Sequence, residues 1–111
     1  MFSIRFEFRN NIDFIHTFRW IDDNGDPVDL SGSSLRLHVK RKASDAKPVL
    51  ELSSENGLAT LTAGEINVFT LKFPRYSLPP GNYVFDLKRI VSGEHLPLAE
   101  GEIQVAAGVT S

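Results

Sequence analysis

The run Leu78-Pro79-Pro80-Gly81-Asn82-Tyr83-Val84-Phe85-Asp86-Leu87 constrains this chain more than any other stretch. Its prolines fix φ and remove a hydrogen-bond donor, and Gly81 tolerates positive φ, so the chain turns sharply there. Apolar and polar residues then alternate, the period of a strand with one buried face. A Tyr directly after such a corner, in the spacing Leu-x-x-Gly-x-Tyr, sends its hydroxyl back to the backbone upstream. Leu78, Gly81 and Tyr83 therefore read as a structural corner. The corner speaks to architecture and not to chemistry.

Other segments carry the same period. Phe2, Ile4, Phe6 and Phe8 alternate with Ser3, Arg5, Glu7 and Arg9, a strand with one wet face that ends at Asn10-Asn11. Residues 14–21 are dense in aromatic and β-branched side chains, again a strand. Asn24-Gly25 is a hairpin-turn signal. Residues 28–30 resume briefly before Ser31-Gly32-Ser33 turns the chain. Leu35, Leu37 and Val39 alternate with Arg36, His38 and Lys40. Short strands follow at 49–52 and 58–61, the second an edge, then a long one at 66–73. After the corner, residues 83–88 form a strand, Ser92-Gly93 turns the chain, residues 95–101 continue, and 102–105 make the last strand. Turn signals about every ten residues suit a sandwich or barrel. The expected fold is all-β: one domain over residues 1–111, an immunoglobulin-like sandwich of about seven antiparallel strands.

Composition narrows the function classes. A chain of 111 residues can bury one core. Apolar content of 41% and charged content of 23% fit a globular protein. A net charge of -2 gives no sequence-wide attraction to nucleic acid or anionic membrane, and neither is expected as a partner. There are no cysteines, which excludes disulfides, thiolate catalysis and Cys-based zinc sites. No apolar run reaches signal-peptide or membrane-span length, so the expectation is a complete, cytosolically made protein.

Candidate chemistry is sparse. His16, His38 and His95 lack metal-ligand spacing. His16 shares a strand face with Phe14, Phe18 and Trp20 and reads as a half-buried structural side chain. His38 alternates outward and reads as solvated. The segment 22–26 looks like calcium chemistry, but placing Gly25 sixth in a calcium loop puts Trp20 first and Ser31 twelfth, and neither fits. Turn formation by Asx side chains accounts for the segment. Arg36 with Lys40-Arg41-Lys42 forms a basic group that reads as edge protection, without the aromatics that single-strand binders interleave. No serine lies in Gly-x-Ser-x-Gly, and no glycine-rich phosphate loop is present. No catalytic residue, cofactor or metal ligand is assigned, and the protein is read as non-enzymatic.

Taken in order, several pieces resemble one family. They are the segment 18–32, ending in Asp29-Leu30-Ser31-Gly32; the strand 35–40; Asn56-Gly57; the corner 78–87; and 100–105 before Gly108-Val109-Thr110. Together they resemble small bacteriophage virion proteins with immunoglobulin-like domains of the tail and baseplate region, similar to the N-terminal domain of baseplate upper proteins. The N-terminal strand is unusually aromatic for that pattern, and the expectation is a domain with no receptor-binding or coiled-coil region beyond Ser111. The resemblance implies a structural role and carries no catalytic residues. It implies a homo-oligomer or a complex with other virion proteins, and location in the virion after synthesis in the host cytoplasm.

Two strands are candidate interaction edges: the first, with Phe2, Ile4, Phe6 and Phe8, and the strand 35–39 with Arg36 and Lys40. The first either packs on its own sandwich or adds to another subunit's sheet and fills pockets there. The alternative function is a carbohydrate-binding module using Trp20, Tyr76 and Tyr83 as sugar platforms.

Overall fold

The computed structural model describes residues 2–109. Eight strands run in chain order: β1 (Phe2–Arg9), β2 (Phe14–Arg19), β3 (Ser34–Lys40), β4 (Leu50–Ser53), β5 (Ala59–Leu61), β6 (Val68–Phe73), β7 (Gly81–Val91) and β8 (Glu94–Ala106). They form two sheets, a larger one ordered β1-β8-β7-β3-β4 and a smaller one ordered β2-β6-β5. The chain is thus all-β, with two packed sheets. No helix among the described residues is long and apolar enough to cross a membrane.

Alternation decides which face of each strand is buried. Leu35, Leu37 and Val39 of β3 are fully buried, and Arg36, His38 and Lys40 between them point out. Phe69, Leu71 and Phe73 of β6 and Tyr83, Phe85 and Leu87 of β7 join the same cluster between the sheets. Burial of such side chains supplies about 1.5–3 kcal/mol each, the main term holding the layers together.

The corner closes as its spacing requires. The Tyr83 hydroxyl donates to the Pro79 carbonyl at 2.6 Å. Tyr83 and Leu78 are buried, and Gly81 has φ 151°, a backbone that side-chain-bearing residues rarely adopt. The Arg41 guanidinium lies 5.2 Å from the Tyr83 ring centroid, where a cation is attracted to the ring face. At Asp29-Leu30-Ser31-Gly32, the Asp29 carboxylate accepts from the Ser31 amide at 2.9 Å. Leu30 is fully buried, and Gly32 takes φ 76° as the chain enters β3.

The segment 22–26 is a turn held by one carboxylate. Asp22 Oδ1 accepts from the amides of Asn24 and Asp26, each at 2.9 Å. That oxygen is occupied by backbone donors, as in other Asx turns. Among the described residues no group of three His, Asp or Glu side chains is placed to hold a metal ion.

The architecture departs from the sequence reading in three ways. Eight strands are present rather than about seven, and β1 pairs parallel with β8 across eight residues, Phe2 opposite Ala99 through Arg9 opposite Ala106. Alternation fixes which face of a strand is buried and not its direction. No hairpin joins these two strands, so nothing local imposes an antiparallel pairing. Next, residues 94–106 form one strand instead of two. A register shift at Leu87/Lys88 absorbs Pro97, which lies beyond the reach of β1. The β7–β8 turn is a two-residue hairpin with Ser92 at φ 52° and Gly93 at φ 80°, matching the twist of its strands. Finally, β3 is not an edge: it lies between β7 and β4. Arg36 and Lys40 therefore do not border an open strand. Polar alternation marks a wet face, and a central strand of a two-sheet sandwich has one just as an edge strand does.

Candidate assembly edge

Two open sheets leave four edge strands, and they are unequal. On one flank, β4 has four residues and β5 three. On the other, β1 has eight residues and β2 has six. Short edges offer little to a partner, whereas a long regular edge presents a row of unpaired N–H and C=O groups. β1 carries no proline, and its pairing with β8 shows no register shift. Its outer backbone groups are therefore evenly spaced for another strand.

The aromatic side chains of β1 are already committed. Phe6 is buried, with ring centroids 5.8 Å from Phe14, 6.0 Å from Phe18, 5.6 Å from Phe73 and 5.3 Å from Phe85. Phe8 stacks on Phe14 at 4.7 Å. Ile4 and Phe8 are partly buried against the same core. Of the two roles open to this strand, its described apolar side chains take the first: Ile4, Phe6 and Phe8 pack on their own sandwich and are not free to fill a partner's pockets. The Phe2 side chain lies outside the described residues. These contacts also set β1 of the larger sheet over β2 of the smaller, so both free edges run along one flank.

β1 is seated by Gly101. A Cβ at that position would come within 1.7 Å of the Ile4 carbonyl oxygen, so only glycine lets the two backbones lie this close. Sequence gives no signal for that role, because the β1–β8 neighbourhood is set by tertiary structure.

The outward row of β1 is charged and paired within its own sheet. Arg5 lies 2.9 Å from Glu7 and donates to Gln104 Oε1 at 2.6 Å. Farther along the face, Arg36 Nε is 3.1 Å from Glu51, and Nε2 of His38 is 3.1 Å from the same carboxylate oxygen. His38 is thus half-buried beside an acid rather than freely solvated. The basic group disperses, with Arg36 on Glu51 and Arg41 on the Tyr83 ring. Between β1 and β3 the face is an open depression lined by Arg5, His38, Lys40, Asp86, Glu100 and Glu102, of mixed sign.

His16 departs from its expected half-buried state. It is exposed, at 4.5 Å from the Phe18 ring, because β2 is an edge and its inner face opens on the flank. His95 is exposed near the β7–β8 hairpin. Of the aromatics considered as sugar platforms, Trp20 and Tyr83 are buried and Tyr76 is exposed. The structure does not bring these three together on one surface.

No family model matches this chain, and no curated protein matches it.

Proposed function

We propose that this chain is a non-enzymatic structural component of a phage or prophage tail or baseplate. In this reading it is an immunoglobulin-like sandwich that binds copies of itself or a neighbouring virion protein through sheet edges and loops. The observation that carries the reading is the β1 edge: eight regular residues with no proline or bulge, beside the free β2 edge. Monomeric proteins blunt edges of that length, and an edge left open is a site for strand addition. The Tyr83 corner and the Asp29-Leu30-Ser31-Gly32 turn support the resemblance to the tail and baseplate domains, since both are built from the residues that carry it.

Particle composition tests the reading. Virions purified from a genome carrying this gene should contain the chain in stoichiometric amount, and a deletion should yield particles with missing or defective tails. Absence of the chain from purified particles, with assembly unaffected, would refute it.

A further inference from the structure

We propose that β1 is the interface of a two-fold homodimer, in which it pairs antiparallel with β1 of a second copy, centred on Phe6. The proposal rests on the assembly reading above and names the partner.

Register follows from side-chain direction and charge. In a continuous sheet, opposed residues point to the same face, so outward residues of β1 must oppose outward residues of the second copy. A two-fold pairing must then centre on a residue and not between two. Centring on Arg5 sets Arg5 against its own copy. Centring on Glu7 sets Glu7 against Glu7 and Arg5 against Arg9. Centring on Ile4 sets Arg5 against Ser3 and leaves Glu7 unopposed. Centring on Phe6 sets Arg5 against Glu7 twice, once on each side of the axis, and Ser3 against Arg9. Centring on Phe8 also sets Glu7 against Arg9, but pairs only residues 7–9 of the strand. The Phe6 register alone joins opposite charges to pairing over residues 3–9, and opposite charges directly across a strand pair stabilise it where like charges oppose it.

The groups are available for that exchange. The Arg5 and Glu7 side chains are 58% and 63% exposed and already meet at 2.9 Å within one strand, so dimerisation redirects an existing ion pair across the axis. On the inner face the same register sets Ile4 against Phe8, both only partly covered by their own core. The two larger sheets become one continuous sheet. The two β2 edges, with exposed His16 and half-buried Phe14 and Phe18, approach the same axis and close the open flank.

Charge reversal tests this on the full-length chain. Sedimentation at micromolar concentration should show a dimer for the unaltered protein. Arg5→Glu or Glu7→Arg alone places like charges together on both sides of the axis and should weaken the dimer on the order of tenfold. The double variant, Arg5→Glu with Glu7→Arg, restores opposite pairs and should recover it. Thermal melting checks that each variant folds, and hydrogen exchange of the β1 amides should slow on dimerisation. A monomeric unaltered protein overturns the dimer. If virions still contain the chain in that case, the assembly reading stands with a different partner. A dimer indifferent to the reversals overturns this register while leaving self-association intact.

Discussion

Three single residues carry distinct physical roles. Tyr83 spends its hydroxyl on the Pro79 carbonyl, so Tyr83→Phe removes one hydrogen bond and keeps the buried ring. Denaturant melting should show a loss of about 1 kcal/mol, and unchanged stability would mean the bond contributes nothing to the corner. Gly101 holds the β1–β8 seam. Gly101→Ala forces the Ile4 carbonyl aside, a cost at the upper end of the roughly 1–3 kcal/mol typical of overpacking. Hydrogen exchange should then show β1 amides deprotected ahead of β7. Asp29 closes its own turn by accepting from the Ser31 amide. Its carboxyl pKa is held below the ordinary aspartate value first by the Ser31 hydroxyl and then by the Ser31 amide, with desolvation opposing them and the Arg89 charge assisting least. Its folded pKa lies below its unfolded one, so its contribution is complete above the ordinary value. That contribution is lost as pH falls through the lowered value. The difference in Tm between the natural chain and Asp29→Asn should therefore shrink as pH falls below the ordinary aspartate value.

At the scale of elements, β1 does two things at once. Its inner face supplies Phe6 to the core, where that ring meets aromatics of β2, β6 and β7. Its outer backbone edge stays open. Deleting residues 1–10 should therefore unfold the domain rather than yield a stable monomer, because losing Phe6 alone matches changes that cost about 3–5 kcal/mol. Near-ultraviolet circular dichroism of the truncated chain should lose its aromatic signal. A folded truncation would show that β1 is dispensable for the core. The extent and period of this strand were legible from four alternating apolar residues. Its neighbour and direction were not, because both depend on β8, about a hundred residues away in the chain.

For the whole molecule, the first and last strands lie side by side, and β2 pairs with β6 across most of the sequence between them. Such pairings require large loops to close before they are stabilised. Refolding should fall in the millisecond-to-second range typical of sandwiches rather than the microseconds of helical bundles. Stopped-flow tryptophan fluorescence can follow it, since Trp20 is buried against Phe69 at 5.7 Å. A microsecond phase accounting for the full amplitude would contradict this reading of the topology.

Local pattern was enough to read the all-β class, most strand positions, the buried face of most long strands, the Ser92-Gly93 turn and the Tyr83 corner. Each is a local property: period two sorts side chains between faces, and glycine, proline and Asx residues fix turns within a few positions. Which strands border water along their backbones depends on how the sheets assemble. β1 and β3 show the same outward alternation of polar side chains, yet β1 is an edge and β3 is enclosed by β4 and β7. The same holds for His16, whose aromatic neighbours suggested burial while the open flank leaves it exposed, and for Gly101, whose need for a bare backbone arises only once β1 lies against it. Alternation records whether a side chain faces solvent or core; it carries no information on which backbone lies alongside, because hydrogen-bonding groups are the same in nearly every residue.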